Sequence, residues 1–104
     1  MAKRAQDFGH RRERQVKALL EEEGWFVIRA PGSLGTCDLA ALKLWSTPML
    51  IEVKATARGP FHGFGPADRG ALLEAAEKAG AQPLLAYWPA NTTLSWIPAE
   101  DWPA

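Results

Sequence analysis

The stretch from Pro48 to Ala55, Pro-Met-Leu-Ile-Glu-Val-Lys-Ala, constrains the fold more than any other part of the chain. Its apolar and β-branched residues predict a buried strand over residues 49–55. Because side chains alternate across a strand, Glu52 and Lys54 share one face, about 6 to 7 Å apart by the rise per residue. Taken alone, two opposite charges on one face favour a half-exposed strand with a solvated ion pair. The neighbouring stretches decide whether these charges belong to a site instead.

The composition limits the class of protein. A chain of 104 residues with 47% hydrophobic content and five Trp predicts one domain, residues 1–104, with a small core. The single Cys37 excludes an internal disulfide, and the N-terminal residues form no apolar signal segment, so we expect a cytoplasmic protein. No stretch approaches the roughly 18 apolar residues of a membrane span. One Cys and two His also exclude a structural zinc site.

The net charge of zero hides an asymmetry along the chain. Residues 1–20 carry six Lys or Arg against Asp7 and Glu13, a net +4, whereas residues 21–104 carry six against ten acids, a net −4. A basic segment of this kind predicts contact with phosphate, although a solvated helix face explains it equally well. Its basic residues are Lys3, Arg4, Arg11, Arg12, Arg14 and Lys17.

The remaining pattern predicts an α/β fold. A helix, three strands, a second helix and two further strands follow one another, and this αβββαββ order predicts a mixed five-stranded sheet flanked by helices. The step through the second helix predicts a right-handed crossover between parallel strands. The predicted helices span residues 5–23 and 67–79, and the predicted strands span residues 25–29, 37–44, 49–55, 83–88 and 92–98.

Two further carboxylates are predicted to approach the charged strand. Asp38 lies near the start of the strand at 37–44, which a short turn joins to the strand at 49–55, so the hairpin brings Asp38 opposite Glu52 and Lys54. A shift of one residue would turn Asp38 to the other face. Glu13 lies at the edge of the apolar stripe of the first helix, where a carboxylate either reaches solvent or belongs to a site.

Residues 56–66 hold three Gly and two Pro, and they predict an irregular loop that leaves the charged end of the strand. Its Arg58, Phe61 and Phe64 are suited to stacking on bases or on a partner protein. A plain connection explains the loop equally well. Residues 59–66 of this loop, Trp88 and Trp96 are the candidates for a dimer surface.

Three carboxylates and a lysine suit phosphodiester hydrolysis. Carboxylate oxygens bind a hard divalent cation such as Mg²⁺, which activates a water and steadies the charge that develops on a phosphate. A neighbouring ammonium orients that water and offsets negative charge. A Ser-His-Asp hydrolase is disfavoured, because neither His10 nor His62 has a placed partner.

The arrangement of Asp38, followed 14 residues later by Glu52-Val53-Lys54, resembles the PD-(D/E)XK nuclease signature. A wider pattern over residues 9–97 resembles the archaeal-type Holliday junction resolvases, which also occur in phages. That pattern comprises Gly9-x3-Glu13-Arg14, Gly24-Trp25-x-Val27-Ile28-Arg29, Gly32-Ser33, Asp38-Leu39, Ile51-Glu52-Val53-Lys54-x-Thr56, Pro83-x2-Ala86 and Trp96.

The resemblance implies a restriction-endonuclease-like nuclease core and a homodimeric, Mg²⁺-dependent endodeoxyribonuclease, with Mn²⁺ as a substitute ion. Such an enzyme resolves four-way junctions by paired symmetric cuts. Another PD-(D/E)XK nicking or repair nuclease and a non-catalytic nucleic-acid-binding module remain the alternatives. The implied catalytic residues are Glu13, Asp38, Glu52, Lys54 and Ser33, and the implied metal ligands are Glu13, Asp38, Glu52 and Val53. Together with the basic segment and the loop, the predicted DNA contacts are Lys3, Arg4, Arg11, Arg12, Arg14, Arg29, Arg58, Phe61 and Phe64.

Overall fold

The computed structural model describes residues 2–30 and 36–104, with side chains from Phe8 onward. Within these ranges the predicted αβββαββ order is confirmed, and a short 3₁₀ helix follows the last strand. The helices are α1 (Ala2–Glu22) and α2 (Pro66–Ala79), the strands are β1 (Phe26–Arg29), β2 (Leu39–Leu42), β3 (Met49–Lys54), β4 (Gln82–Tyr87) and β5 (Ser95–Pro98), and the 3₁₀ helix is Ala99–Asp101.

The five strands form one mixed sheet in the order β1-β2-β3-β4-β5. Strand β2 lies between β1 and β3 and is antiparallel to both, and β4 is antiparallel to β5. The chain passes through α2 between β3 and β4, which are parallel. The predicted mixed sheet and parallel crossover are therefore confirmed. Strand β3 is the central strand, and both faces of the sheet are covered by apolar side chains there.

The two faces of the sheet have separate cores. On one face, Ile51 and Val53 of β3 pack with Val16 of α1, so the apolar stripe of the first helix is buried as its spacing predicts. On the other face, Leu72 of α2 and Leu85 of β4 pack together. Side chains that alternate along β3 and β4 thus serve both cores, and this fixes the register of the central strands.

Some strands are shorter than the sequence pattern predicts. The strand predicted over residues 92–98 covers only Ser95–Pro98, because the Thr92 hydroxyl donates a hydrogen bond of 2.8 Å to the Pro89 carbonyl and holds a turn there. The strand predicted over residues 37–44 ends at Leu42, since the chain then turns through Trp45, whose φ is +64°. None of the described helices has the length and apolar character needed to cross a membrane.

Candidate active site

Asp38 lies just before β2 and is directed toward the end of β3. Leu39 pairs with Ile51 in the ladder between these strands, and the Asp38 backbone N–H donates a hydrogen bond of 2.9 Å to the same Ile51 carbonyl. Asp38 and Leu39 therefore both lie opposite Ile51, which is the arrangement of a β-bulge. A bulge changes the direction in which a side chain points. The Asp38 Oδ2 atom accepts a hydrogen bond of 2.7 Å from the Val53 backbone N–H. The predicted approach of Asp38 to the end of the next strand is confirmed.

Glu52 and Lys54 form a half-buried pair on one face of β3. Their Oε2 and Nζ atoms lie 3.5 Å apart, and their side chains are 17% and 21% exposed. The Lys54 ammonium also donates a hydrogen bond of 3.0 Å to the Gly63 carbonyl, in the loop that follows the strand. The interpretation as a solvated surface pair is therefore wrong, because both side chains are mostly buried and the Gly63 carbonyl holds the lysine beside the carboxylate.

Burial disfavours the charged forms of both carboxyl groups in this cluster. It raises the pKa of Asp38 to about 6, although the hydrogen bond from the Val53 N–H acts in the opposite direction. Burial raises the pKa of Glu52 to about 7, the neighbouring Asp38 raises it further, and Lys54 lowers it. Near neutral pH the protein therefore holds two partly desolvated carboxyl groups that repel each other once both have lost their protons.

Glu13 of α1 enters the same neighbourhood from the side of β1. Its Oε1 atom accepts a hydrogen bond of 2.9 Å from Arg29 Nε, and the Glu13 side chain is 14% exposed. The charge of Glu13 contributes to the raised pKa of Asp38, and that of Arg29 opposes it. Glu13 does not simply extend into solvent. The end of β1, the first helix and the hairpin meet at one edge of the sheet.

The donor set at this edge fits a hard divalent cation. Asp38 and Glu52 offer carboxylate oxygens, and Val53, whose N–H is bonded to Asp38, offers its backbone carbonyl as a third candidate donor. Among residues 2–30 and 36–104, no three His, Cys, Asp or Glu side chains are gathered closely enough to hold a metal ion by themselves. Mg²⁺ does not require such a cage, because it commonly binds through one or two carboxylates and retains several waters. A cation here would stabilise the charged forms of both carboxyl groups, which burial disfavours.

Arg12 was predicted to contact DNA, but its side chain is buried. Its Nε and Nη2 atoms donate hydrogen bonds of 2.9 Å to the carbonyls of Trp88 and Pro89. Its guanidinium carbon lies 4.1 Å from the centre of the Trp88 ring and 4.9 Å from that of Phe8. This charge stabilises contacts inside the protein, so we remove Arg12 from the set of DNA contacts.

Phe64 was also predicted to contact DNA, but its side chain is only 1% exposed and is therefore not available to DNA. The ring packs at 5.1 Å, edge to face, against Trp102, and it belongs to the core between α2 and the sheet. Phe61 is half-buried against the same core. The loop at 56–66 is therefore partly anchored rather than freely extended.

Of the other residues predicted for catalysis or DNA binding, the structure describes some and not others. Arg11, Arg14 and Arg58 are exposed and free to meet a phosphate backbone. Ser33 and the turn at 31–35 lie outside the described residues, as do the side chains of Lys3 and Arg4.

Two groups that shape this site leave no recognisable signal in the sequence. The Gly63 carbonyl holds Lys54, and a backbone acceptor leaves no mark in a sequence. Asp68, in the first turn of α2, adds to the raised pKa of Glu52. An acid near a helix N-terminus is so common that its position alone does not indicate a site.

Comparison with known proteins places this geometry in one family. The sequence model of the archaeal Holliday junction resolvase family matches residues 4–102. The fold is similar to that of Hjc from Archaeoglobus fulgidus, a Holliday junction resolvase from an archaeal hyperthermophile. That match has a TM-score of 0.74 at 25% identity, and it covers 88% of this chain and 73% of the other. A search of curated protein sequences found no match. The chain belongs to the archaeal Holliday junction resolvase family, a family of DNA endonucleases.

Proposed function

We propose that this protein resolves four-way DNA junctions by two symmetric phosphodiester cuts that depend on a divalent cation, with Mg²⁺ as the natural ion and Mn²⁺ as a substitute. The observation that carries the proposal is the Asp38–Glu52 carboxyl pair, with Lys54 3.5 Å from Glu52, in a chain of the resolvase family. Asp38, Glu52 and the Val53 carbonyl are the proposed ligands, with Glu13 beside them.

Each residue of the site has a separate task in hydrolysis. A bound divalent cation supplies a water of lowered pKa and neutralises charge on a phosphate oxygen. The Val53 N–H fixes the Asp38 carboxylate by its hydrogen bond of 2.7 Å. Lys54 donates a hydrogen bond to the attacking water and offsets the negative charge that develops on the phosphate. Arg29 keeps Glu13 close to the ligands through their ion pair of 2.9 Å.

The proposed DNA contacts are mostly basic side chains. Their number predicts a strong salt dependence of binding, because each contacted phosphate releases counterions. Contacts of this kind position the enzyme on the shape of the DNA rather than on its sequence. The proposed contacts are Lys3, Arg4, Arg11, Arg14, Arg29, Arg58 and Phe61, and Ser33 remains a proposed catalytic residue.

We propose a homodimer, since two symmetric cuts in a junction need two equivalent sites, which a two-fold axis provides. The surface that best suits a second copy is the outer face of β1 and β2. Phe26 and Leu42 are direct cross-strand partners there and are 67% and 41% exposed, and Ile28 on the same face is 50% exposed. Trp45 at the adjacent turn is 94% exposed. An apolar area of this size on one side of a small protein is typical of an interface.

The dimer surface is tested by light scattering coupled to gel filtration. Phe26→Ser and Trp45→Ser are expected to weaken the dimer, because each removes an apolar anchor from this face. Trp96→Ser is the matched control, as Trp96 is 39% exposed on the opposite edge strand β5. Dissociation by Trp96→Ser alone would place the interface at β5 instead.

The activity is tested by cleavage of a four-way junction and of a linear duplex of the same sequences, with Mg²⁺ and with chelator. Paired cuts in the junction, little cleavage of the duplex and no cleavage with chelator are expected. Equal cleavage of both substrates would identify a general nicking nuclease. Binding without any cleavage would identify a non-catalytic module. The proposal also places the enzyme in the cytoplasm, where Cys37 stays reduced.

A further inference from the structure

A groove of about 380 Å³ lies directly beside the candidate catalytic lysine. Lys54 forms part of its wall, next to Thr56 and Gly63 of the loop that follows β3. Phe8 and Gly9 of α1 line another part. The groove is thus continuous with the proposed cleavage site, because the ammonium that faces Glu52 also borders it.

The aromatic part of this groove is held in place by contacts deep in the fold. The Arg12 guanidinium carbon lies 4.9 Å from the centre of the Phe8 ring and 4.1 Å from the centre of the Trp88 ring. Hydrogen bonds from Arg12 to the carbonyls of Trp88 and Pro89 anchor this stack to the end of β4. The buried Arg12 therefore presents Phe8 to the groove in a fixed position, and a fixed ring binds with little loss of side-chain entropy.

The chemistry of the walls matches one nucleobase. Half-buried Phe8 offers aromatic surface for stacking, while the Thr56 hydroxyl and the exposed His62 imidazole offer hydrogen-bond partners for a base edge. Gly9 leaves the entrance clear, because a Cβ built there meets nothing within 4 Å. Where the arms of a junction are not stacked on one another, the base at the branch point lacks a neighbour on one side, so turning it out of the helix takes less free energy there than inside a duplex.

We propose that this groove binds a single unstacked base of the cleaved strand, next to the scissile phosphate, with Phe8 as its stacking platform. The inference rests on the proposed function. Capture of the base holds the strand so that its phosphate lies at Lys54 and the carboxylates. The groove then selects for DNA in which a base is free to leave the stack, which is a property of branched DNA and not of a linear duplex.

The experiment compares Phe8→Ala with the natural protein on a set of junctions, each of which lacks one base close to the cut. Removal of the captured base is expected to slow cleavage by the natural protein roughly tenfold at one position. Phe8→Ala is expected to lose a similar factor on the intact junction and nothing further on the junction that lacks that base. Phe8→Tyr keeps the ring and is expected to keep the natural rates.

Two controls separate stacking from a structural effect. Phe8→Leu retains apolar bulk against Arg12 without a ring, and it is expected to behave as Phe8→Ala does. Trp96→Ala removes an aromatic side chain remote from the groove and is expected to treat all the junctions as the natural protein does. Junction affinity is measured in chelator for every variant, so that binding is followed without cleavage.

The outcomes distinguish this inference from the proposed function. If the natural protein cuts the intact junction and every base-lacking junction at the same rate, the base groove is refuted and the junction activity stands. If Phe8→Ala loses the same factor on all substrates, Phe8 is only a structural residue and the inference is again refuted. If the natural protein cuts no junction at all, the proposed function itself fails.

Discussion

The two ends of strand β3 differ in character, although one strand and one sheet support both. At its start, Met49 borders an apolar groove of about 300 Å³, together with Trp25 and Leu94. At its end, Glu52 and Lys54 lie 3.5 Å apart in the candidate site, and Lys54 also borders the groove of about 380 Å³. The middle of the strand, with Ile51 fully buried, is common to both. The apolar end stabilises the fold by burial, whereas the polar end destabilises it by desolvating carboxylates, and this cost is consistent with a role in chemistry.

The largest effect is expected at the polar end. Asp38→Asn and Glu52→Gln should each slow junction cleavage with Mg²⁺ about a thousandfold, because each removes a charged ligand from the site. Junction binding in chelator should persist, since a negative charge near phosphate is lost. Glu23→Gln is the matched control, because Glu23 borders the apolar groove at the other end of β3. Cleavage by Glu52→Gln at the rate of Glu23→Gln would refute the assignment of the site.

The stability of the metal-free protein should depend on pH because of the two carboxyl groups at the polar end, Asp38 and Glu52. The carboxyl groups have pKa values of about 6 for Asp38 and about 7 for Glu52 in the folded protein, above the value near 4 of an unfolded chain. Folding therefore takes up protons, and the free energy of unfolding should fall by about 3 kcal/mol between pH 5.5 and pH 8. Urea unfolding in chelator measures this slope. Glu52→Gln should flatten it, and a natural protein that gains stability over this range would contradict the burial of the pair.

A substitution at the apolar end of β3 should lower the stability of the protein and leave its cleavage activity unchanged. Met49→Ala should lower the free energy of unfolding by about 2 kcal/mol, because Met49 packs against the core under α1. The cleavage rate per folded molecule should stay the same, since the bulged hairpin at Asp38 keeps its buried anchor Ile51. Chemical denaturation and single-turnover cleavage on one preparation give both values. A rate that falls more than the folded fraction would show that the two ends are coupled.

The smallest effect should come from the loop that holds Lys54. Gly63 and Gly59 both have positive φ, +75° and +111°, so alanine strains the backbone at either position. Only at Gly63 would the new Cβ meet the lysine, at 3.4 Å from Nζ, whereas at Gly59 nothing lies within 4 Å. Gly63→Ala should therefore slow cleavage of saturating junction about tenfold, and Gly59→Ala should lower only the melting temperature. Equal rates in the two variants would remove Gly63 from the positioning of Lys54.

The sequence predicted the frame of the site because its signals are local. Strand β3, its turn and the preceding strand lie within one hairpin, so alternation of side chains and loop length were enough to bring Asp38 to Glu52. The bulge at Asp38 was not predicted, since two residues opposite one leave no compositional mark. The pairing of Glu13 with Arg29 was also missed, although both residues were named as candidates separately.

The errors concern side chains whose partners are remote in the chain. Arg12 was counted with its basic neighbours, yet its hydrogen-bond acceptors are 76 and 77 residues away. Phe64 was placed in an irregular loop, yet it packs on Trp102 near the C-terminus. Charge and aromatic character state what a side chain is able to bind, and only the tertiary packing decides whether that partner lies inside the protein or outside it.

The distances along the chain that separate these contacts also bear on the order of folding. Asp38 and the Val53 N–H are 15 residues apart, whereas Arg12 and the Trp88 carbonyl are 76 residues apart. Closing the longer segment costs about 1.4 kcal/mol more in chain entropy. We therefore expect the hairpin with the carboxylates to form before the stack of Phe8, Arg12 and Trp88. In folding kinetics, the φ-value of Leu39→Ala in the hairpin should then exceed that of Arg12→Ala in the stack. The folding chain would acquire its metal ligands first and its means of choosing a substrate last.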